Sequence, residues 1–153
     1  MTHDIDDPGA RFLFRPLRPE DVGAVVELWK LCGLPYRPTG RDAPALLAEQ
    51  IAAATDLFLG VFDGTRLIGT SFGSLDGRQK GWINRVAVDP RFRRHGLASA
   101  LVERTEATLR ARGCMVTAVL IEAHNDTSLA LFDKLGFDRT EVIYLQKANQ
   151  EGA

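Results

Sequence analysis

Residues 81–99 have the sequence GWINRVAVDPRFRRHGLAS, in which a strand runs into a glycine-containing loop and then into a helix. Asp89-Pro90 ends the apolar strand run at 81–88, and the pattern predicts an amphipathic helix from Gly96 to Arg112. The first N–H groups of such a helix lack carbonyl partners and carry the positive end of its dipole. Three arginines, at positions 91, 93 and 94, add positive charge. The loop therefore predicts a binding site for a phosphate or diphosphate.

The spacing of this loop separates it from other phosphate-binding motifs. The chain has neither a G-x-x-x-x-G-K-S/T P-loop nor a G-x-G-x-x-G dinucleotide fingerprint. Instead, Arg93-x-x-Gly96-x-Ala98 has the form Q/R-x-x-G-x-G/A, and Asn125 precedes the run LFDKLGF at 131–137. With RVAVDPRF at 85–92, these motifs resemble the GNAT superfamily of acetyl-CoA-dependent N-acetyltransferases. The chain is similar to small bacterial-type members and to the branch that acetylates ribosomal-protein N-termini.

The rest of the sequence predicts further elements of one α+β domain. Six strands are predicted, at residues 12–14, 57–62, 66–75, 81–88, 115–121 and 141–147. Besides the helix after Gly96, helices are predicted at residues 19–32 and 43–54. The aspartates and Pro8-Gly9 at the start predict a disordered tail over residues 1–10. We expect residues 11–148 to form a single acetyltransferase domain.

The resemblance implies a GNAT-like mixed, mostly antiparallel sheet of about six to seven strands flanked by about four helices. In such a fold the strands at 81–88 and 115–121 are parallel neighbours that splay apart, and the pantetheine arm of CoA lies in the gap. The diphosphate of the coenzyme then binds the amides of the glycine loop. The residues that the resemblance assigns to acetyl-CoA are Val86, Ala87, Val88, Arg93, Arg94, His95, Gly96, Leu97, Ala98, Ser99, Asn125 and Phe132.

The acid–base residues depart from the family pattern. Glu122, at the end of the strand 115–121, is the predicted general base, with a plain surface carboxylate as the equal alternative. The usual base position corresponds to Leu120, so a water chain is another route. The family's proton-donating tyrosine corresponds to Phe132, which has no proton for the CoA sulfur. Three further residues have a structural alternative: His124 as a solvated side chain, Tyr144 as sheet packing and Asn125 as a helix cap.

Composition and charge argue against several other classes of protein. A net charge of −1 over 153 residues gives no support for nucleic-acid binding. No apolar run is long enough to span a bilayer, and the polar start does not resemble a signal peptide, so we expect a cytoplasmic location. Cys32 and Cys114 lack metal-ligand spacing, so no metal is predicted and both are expected to be buried thiols.

These patterns together predict an enzyme that transfers acetyl from acetyl-CoA to a primary amine by direct transfer in a ternary complex. The acceptor is a small molecule or a protein α-amine, and its site is expected at residues 32–43 and 73–80. The prediction leaves room for a homodimer. One alternative is a non-catalytic acyl-CoA-binding sensor or interaction module, since Phe132 replaces tyrosine. Another is a phosphate-binding protein of a different fold.

Overall fold

The computed structural model describes residues 11–53 and 56–153, which contain five strands and four α-helices. The strands are β1 (Phe12–Pro16), β2 (Phe58–Asp63), β3 (Arg66–Leu75), β4 (Lys80–Val88) and β5 (Val116–Val119). The helices are α1 (Val22–Leu31), α2 (Pro44–Ala53), α3 (Leu97–Ala111) and α4 (Asp126–Lys134). Short 3-10 turns at Pro19–Asp21 and Pro90–Phe92 precede α1 and α3.

The five strands form one mixed sheet in the order β1-β2-β3-β4-β5. Each of the first three pairs is antiparallel, whereas β4 and β5 are parallel and are connected through α3. Gly64 and Gly77 lie in the two hairpin turns with φ of 63° and 83°, a left-handed conformation that glycine adopts without strain. The hairpins therefore form at the two Asp-Gly pairs where the sequence predicts them.

The helices cover both faces of the sheet. Successive residues of a strand point to opposite faces, and in β2 Phe62 packs in the cluster under α1 and α2, while Val61 packs in the cluster under α3. Trp29 of α1 and Leu101 of α3 are fully buried on these opposite sides. A further cluster at the β5 end buries side chains of α3, α4 and β4, among them Ile83, Val102, Leu109 and Phe132.

The predicted strand at 141–147 is absent, so the sheet has five strands rather than six or seven. Residues 138–148 have no secondary structure and are exposed. The run EVIYLQK contains the β-branched and aromatic residues that favour strands, but a strand forms only where another strand accepts its hydrogen bonds. Within the described chain, no backbone hydrogen bond joins 138–148 to the sheet. We call residues 138–153 the tail.

The remaining boundaries are close to the predicted ones. α2 covers Pro44–Ala53 of the predicted 43–54, and residue 54 lies outside the described residues. The predicted tail at 1–10 also lies outside them. None of the helices in the described ranges is both long and apolar enough to cross a membrane.

Candidate functional site

β4 and β5 separate partway along β4. Their parallel pairing begins with Lys80 opposite Val116 and ends with Ile83 opposite Val119. β4 continues to Val88 while paired with β3, whereas the chain after β5 turns into the loop before α4. The predicted parallel pair is therefore present, and on this side of β4 residues 84–88 have no paired strand among the described residues, a stretch that we call the opening.

A β-bulge at Arg85 marks the start of this opening. Arg85 has a φ of 54°, which is unusual for a residue other than glycine, and the register with β3 shifts between Thr70 and Phe72. The buried Thr70 hydroxyl donates to the Arg85 carbonyl at 2.8 Å and accepts from the Trp29 indole N–H at 3.1 Å. The Arg85 guanidinium lies 4.6 Å from the centre of the Trp29 ring. These contacts hold the left-handed backbone in place.

The Arg85 side chain fixes the α1–α2 linker, residues 32–43, beside the opening. Its Nη2 donates to both carboxylate oxygens of Asp42, at 2.9 and 2.8 Å, and its Nη1 donates to the Pro35 carbonyl at 2.7 Å. Asp42 is itself buried and also accepts from the Arg37 backbone N–H at 2.8 Å. Charge-assisted bonds from a planar guanidinium are strong and directional, so one side chain anchors the linker near both of its ends.

The loop after β4 is organised by Asp89. Its buried carboxylate accepts from the Arg91 backbone N–H at 2.9 Å and from the Arg91 side chain at 3.1 and 2.8 Å. These hydrogen bonds from Arg91 lower the pKa of Asp89, against the opposing effect of burial. The Arg91 guanidinium is therefore paired with Asp89 within the loop. Arg93 and Arg94 are exposed, and they form no ion pair with any described residue.

The start of α3 leaves backbone donors without intrahelical partners. Gly96 precedes the helix with a φ of 71°, and in the described chain no side chain caps it. The N–H groups of Leu97, Ala98 and Ser99 therefore lie at the positive end of the helix dipole. His95 turns its Nδ1 towards the Phe92 carbonyl, at 3.0 Å. This end of the helix, with the two exposed arginines, can bind an anion.

The predicted catalytic and coenzyme residues of the β5 side differ in burial. Glu122 is exposed in the loop after β5, and its carbonyl accepts from the Asn125 N–H at 2.9 Å. The Asn125 side-chain oxygen accepts from the Ser128 N–H at 3.1 Å, so Asn125 caps α4. Phe132 is buried edge-on against Phe137, with ring centres 5.0 Å apart. Leu120, at the family's usual base position, is exposed.

The other side chains considered for chemistry have structural contacts or lie in solvent. Tyr144 is exposed in the tail, where its hydroxyl donates to Gln146 at 3.0 Å, and His124 is exposed. Cys114 is buried as predicted, but Cys32 is half-buried and donates to the Val88 carbonyl at 3.4 Å. Burial raises the pKa of the Cys32 thiol. No group of three or more potential metal ligands occurs among the residues that the structure describes.

An open cavity of about 480 Å³ lies between the α1–α2 linker and the tail. Its walls carry Arg37 and Arg41 from the linker and Lys147 from the tail, and no acidic side chain lines it. The cavity therefore adjoins the segment that Arg85 holds at the opening. The other predicted acceptor segment, residues 73–80, lies at the opposite end of β4 from the loop at 89–96.

A family comparison covers most of these features. Residues 23–137 match the model of the acetyltransferase (GNAT) family. The chain belongs to the acetyltransferase (GNAT) family. The predicted resemblance is confirmed, and with it the prediction of an acetyl-CoA-dependent acyltransferase.

Solved structures of other GNAT proteins share this fold at low sequence identity. The PaiA N-acetyltransferase from Thermoplasma acidophilum, in complex with coenzyme A, has a TM-score of 0.76 and 18% identity over 86% of this chain and 92% of its own. Ard1 from Thermoplasma volcanium has a TM-score of 0.75 and 24% identity, over 85% of this chain and 84% of its own. The ribosomal-protein-S18-alanine N-acetyltransferase from Escherichia coli has a TM-score of 0.66 and 19% identity, over 84% of this chain and 79% of its own.

In this GNAT protein, the family match includes the linker, the opening, the loop and α3, and it ends at Phe137. The tail, where the fold departs from the predicted sheet, begins immediately after the matched residues. Sequence analysis missed the ion pair between Arg85 and Asp42. The available signal was a single cation inside the apolar strand 81–88, but its partner lies 43 residues away in the chain. Such a pairing cannot be read from local spacing.

Proposed function

We propose that this GNAT protein transfers the acetyl group of acetyl-CoA directly to a primary amine within a ternary complex. The observation that supports this most is the opening after Ile83, which leads along β4 to the free amides at the start of α3. A strand edge can bind an extended chain through backbone groups, and a helix N-terminus can bind a diphosphate. Acetyl-CoA carries both parts in one molecule.

In the proposed complex, the pantetheine arm lies along Val86, Ala87 and Val88. The diphosphate is bound by the amides from Arg94 to Ser99, with charge from the Arg93 and Arg94 side chains. Asn125 contributes only its side-chain nitrogen, because its oxygen caps α4. Phe132 contributes through packing from the core beneath the opening. The Thermoplasma acidophilum protein of the same fold is solved in complex with coenzyme A, which supports coenzyme A as the ligand.

Proton transfer separates the candidate acceptors. An amine with a pKa of about 10.4 is neutral in about one molecule per thousand near pH 7.4, a cost of about 4 kcal/mol. An α-amine with a pKa of about 7.8 costs less than about 1 kcal/mol. A thiolate with a pKa of about 8.5 can leave without a donor, which suits Phe132 at the tyrosine position. Chemistry without strong acid or base assistance therefore favours an acceptor of low pKa.

Glu122 is the proposed general base, acting directly or through water. It follows β5, at the side of the opening opposite to β4. Because the side chain is exposed, water has access to it, and the proton can pass through solvent. The protein α-amine is therefore the better of the two acceptor classes, and the S18-alanine acetyltransferase of the same fold is consistent with it.

We place the acceptor on the α1–α2 linker. Arg85 fixes this segment next to the β4 residues where the thioester would lie, and the side chains of Arg37, Arg41 and Lys147 line the adjoining cavity, where no acidic side chain of the described residues is found. Opposite charges attract across such a partly exposed surface, although solvent weakens the effect. The acceptor is therefore expected to carry carboxylate or phosphate groups near its amine.

The direct test measures the release of CoA thiol, corrected for hydrolysis, with a panel of α-amine peptides and small amines in acidic and neutral versions. Transfer predicts amine-dependent release and mass-verified acetylated product, with acidic acceptors giving the lower KM. Calorimetric titration with CoA runs beside it. Tight CoA binding without amine-dependent release would instead identify the acyl-CoA-binding module that Phe132 allows. A protein that binds other nucleotides but not CoA would overturn both.

A further inference from the structure

A series of buried hydrogen bonds runs from α1 to the backbone of β4. The Trp29 indole N–H donates to the Thr70 hydroxyl at 3.1 Å, and that hydroxyl donates to the Arg85 carbonyl at 2.8 Å. Trp29 and Thr70 are both fully buried. An indole nitrogen can only donate, so it makes the Thr70 oxygen its acceptor and turns the hydroxyl proton towards Arg85. The direction of both hydrogen bonds is therefore fixed, and they end on a main-chain carbonyl.

This carbonyl belongs to the β-bulge of β4. Arg85 and Val86 both lie opposite the single residue Ser71 of β3. The Arg85 backbone is left-handed, with a φ of 54°, a conformation that costs energy in a residue with a Cβ. The hydrogen bond from Thr70 to its carbonyl offsets part of this cost. The hydroxyl therefore favours the bulge over a regular strand.

The orientation of the Arg85 carbonyl decides where the Val86 N–H points. A trans peptide is planar, and its C=O and N–H groups point in opposite directions. Because the carbonyl is directed at Thr70 of β3, the Val86 N–H is directed away from β3, towards the opening. N–H groups of successive strand residues point to alternate sides, and the Asp89 N–H donates to Ile68 of β3 at 2.8 Å, which places residue 86 on the other side as well.

We propose that Thr70 and Trp29 are positioning residues for acetyl transfer: they hold the peptide between Arg85 and Val86 so that its N–H donates to the carbonyl oxygen of the bound thioester. This role rests on the proposed function. Both side chains are fully buried, so they act through the backbone and not by contact with the coenzyme.

The transfer step shows what the fixed N–H contributes. The nitrogen of the neutral amine forms a bond to the thioester carbon, and the electron pair of the carbonyl moves to its oxygen. When this pair returns, the C–S bond breaks, the sulfur leaves as a thiolate, and the extra proton on nitrogen passes to solvent. A donor that is already oriented towards the oxygen stabilises the charge that develops there. Loss of this orientation should therefore lower kcat.

Thr70→Val tests the hydroxyl with little change of shape. We expect kcat for amine acetylation to fall at least about tenfold. The acceptor KM should stay close to its wild-type value, because the Arg85 guanidinium keeps its bonds to Asp42 and Pro35. Thr70→Ser, which keeps the hydroxyl, should recover most of kcat. Trp29→Phe removes only the indole donor, so its kcat should fall less than that of Thr70→Val.

Thr105→Val is the matched control. Thr105 is also buried, and its hydroxyl is bonded to the Leu101 carbonyl at 2.9 Å, but it lies on α3, on the opposite face of the sheet from Trp29. Its substitution should lower the free energy of unfolding, as Thr70→Val does, and leave kcat unchanged. An unchanged kcat in Thr70→Val, or an equal loss in Thr105→Val, would overturn the proposal.

NMR of the Val86 amide tests the positioning without turnover. Acetyl-CoA, added without an amine, should move the Val86 amide proton downfield relative to CoA, because only acetyl-CoA carries a carbonyl at its sulfur. The difference between the two ligands should disappear in Thr70→Val and persist in Thr105→Val. Equal shifts with both ligands in the wild type, or no binding of either, would overturn the proposal. A shift difference that depends on Thr70, in a protein that releases no CoA with any amine, would contradict the proposed transfer and leave the positioning intact.

Discussion

Gly96 is the residue at which a single substitution tests the anion site most sharply. Its φ is 71°, and no atom lies within 4 Å of the position that a Cβ would occupy. Gly96→Asp therefore strains the backbone and sets a negative charge against the proposed diphosphate. We expect the Kd for CoA, measured by calorimetry, to rise at least about tenfold.

Gly113 provides the matched control for this substitution. It follows α3 at the other end, has a φ of 89° and is equally open, so Gly113→Asp imposes a comparable backbone cost far from the loop. Its CoA affinity should equal that of the wild type. Equal losses in both variants would mean that the loop at Gly96 does not bind the coenzyme.

Asp42→Asn tests the attachment of the α1–α2 linker. The substitution removes the charge that holds Arg85, so the KM for the acceptor should rise several-fold in steady-state assays while the Kd for CoA stays unchanged. The free energy of unfolding should fall by about 1–3 kcal/mol because the pair is largely buried. Asp133→Asn breaks the exposed pair with Arg139 and should leave both the acceptor KM and the free energy of unfolding close to their wild-type values. Lower stability with unchanged acceptor KM would show that the pair has no role in acceptor binding.

Glu122→Gln tests the proposed base. The rate should fall by about 10²-fold or more for amines of high pKa and much less for α-amines, because only the former need help in losing a proton. The measurement is kcat/KM across acceptors that differ in amine pKa. A uniform loss for all acceptors would assign Glu122 to another role.

The Asp89 carboxylate makes the stability of the fold depend on pH. Hydrogen bonds from Arg91 lower the pKa of Asp89 in the folded protein. A lowered carboxyl pKa stabilises the fold fully above the unfolded value of about 3.9, and this contribution is lost as the pH falls through the folded value. In urea unfolding at pH 7, Asp89→Asn should have a lower free energy of unfolding than the wild type. The difference between these two free energies should become smaller below about pH 4. A difference in the free energy of unfolding that does not change with pH would show that the titration of Asp89 does not contribute to stability.

Packing between α3 and the sheet depends on the close approach at Gly69. A Cβ there would lie 2.7 Å from Cγ1 of Val61 and 3.0 Å from Cδ1 of Leu101, so Gly69→Ala should cost about 1–3 kcal/mol in urea unfolding. Gly23→Ala in α1 meets no atom within 4 Å and should stabilise by about 0.5–1 kcal/mol. Changes of the same sign in the free energy of unfolding of the two variants would contradict this packing.

Several elements follow from local sequence. The strand before Asp89-Pro90, the glycine loop and α3 are predicted because each is encoded by neighbouring residues: an apolar run, a chain break and a helical pattern. The hairpin turns at Gly64 and Gly77 are predicted for the same reason. The order of motifs then identifies the family, and with it the parallel pair of β4 and β5.

Other features depend on contacts that local patterns do not encode. The Arg85–Asp42 pair joins a strand to a linker, and its backbone bulge arises from a register shift against β3. The tail shows the opposite case, since residues 141–147 have the composition of a strand but no partner strand among the described residues. Pairing of a strand is a property of the surrounding sheet and cannot be decided from the strand itself.

The molecule as a whole places three features around one end of the parallel pair. The opening beside β4, the anion site at the start of α3 and the linker held by Arg85 all adjoin residues 84–99. A thioester carrier bound along β4 would therefore present its acetyl group towards the linker and its cavity.

A crystal structure of the protein with bound CoA tests this account most directly. We predict density for the pantetheine arm beside Val86, Ala87 and Val88, with the diphosphate oxygens within hydrogen-bond distance of the amides between Arg94 and Ser99. The thiol should end near Arg85, facing the α1–α2 linker. Coenzyme bound on another surface, with the start of α3 empty, would contradict it.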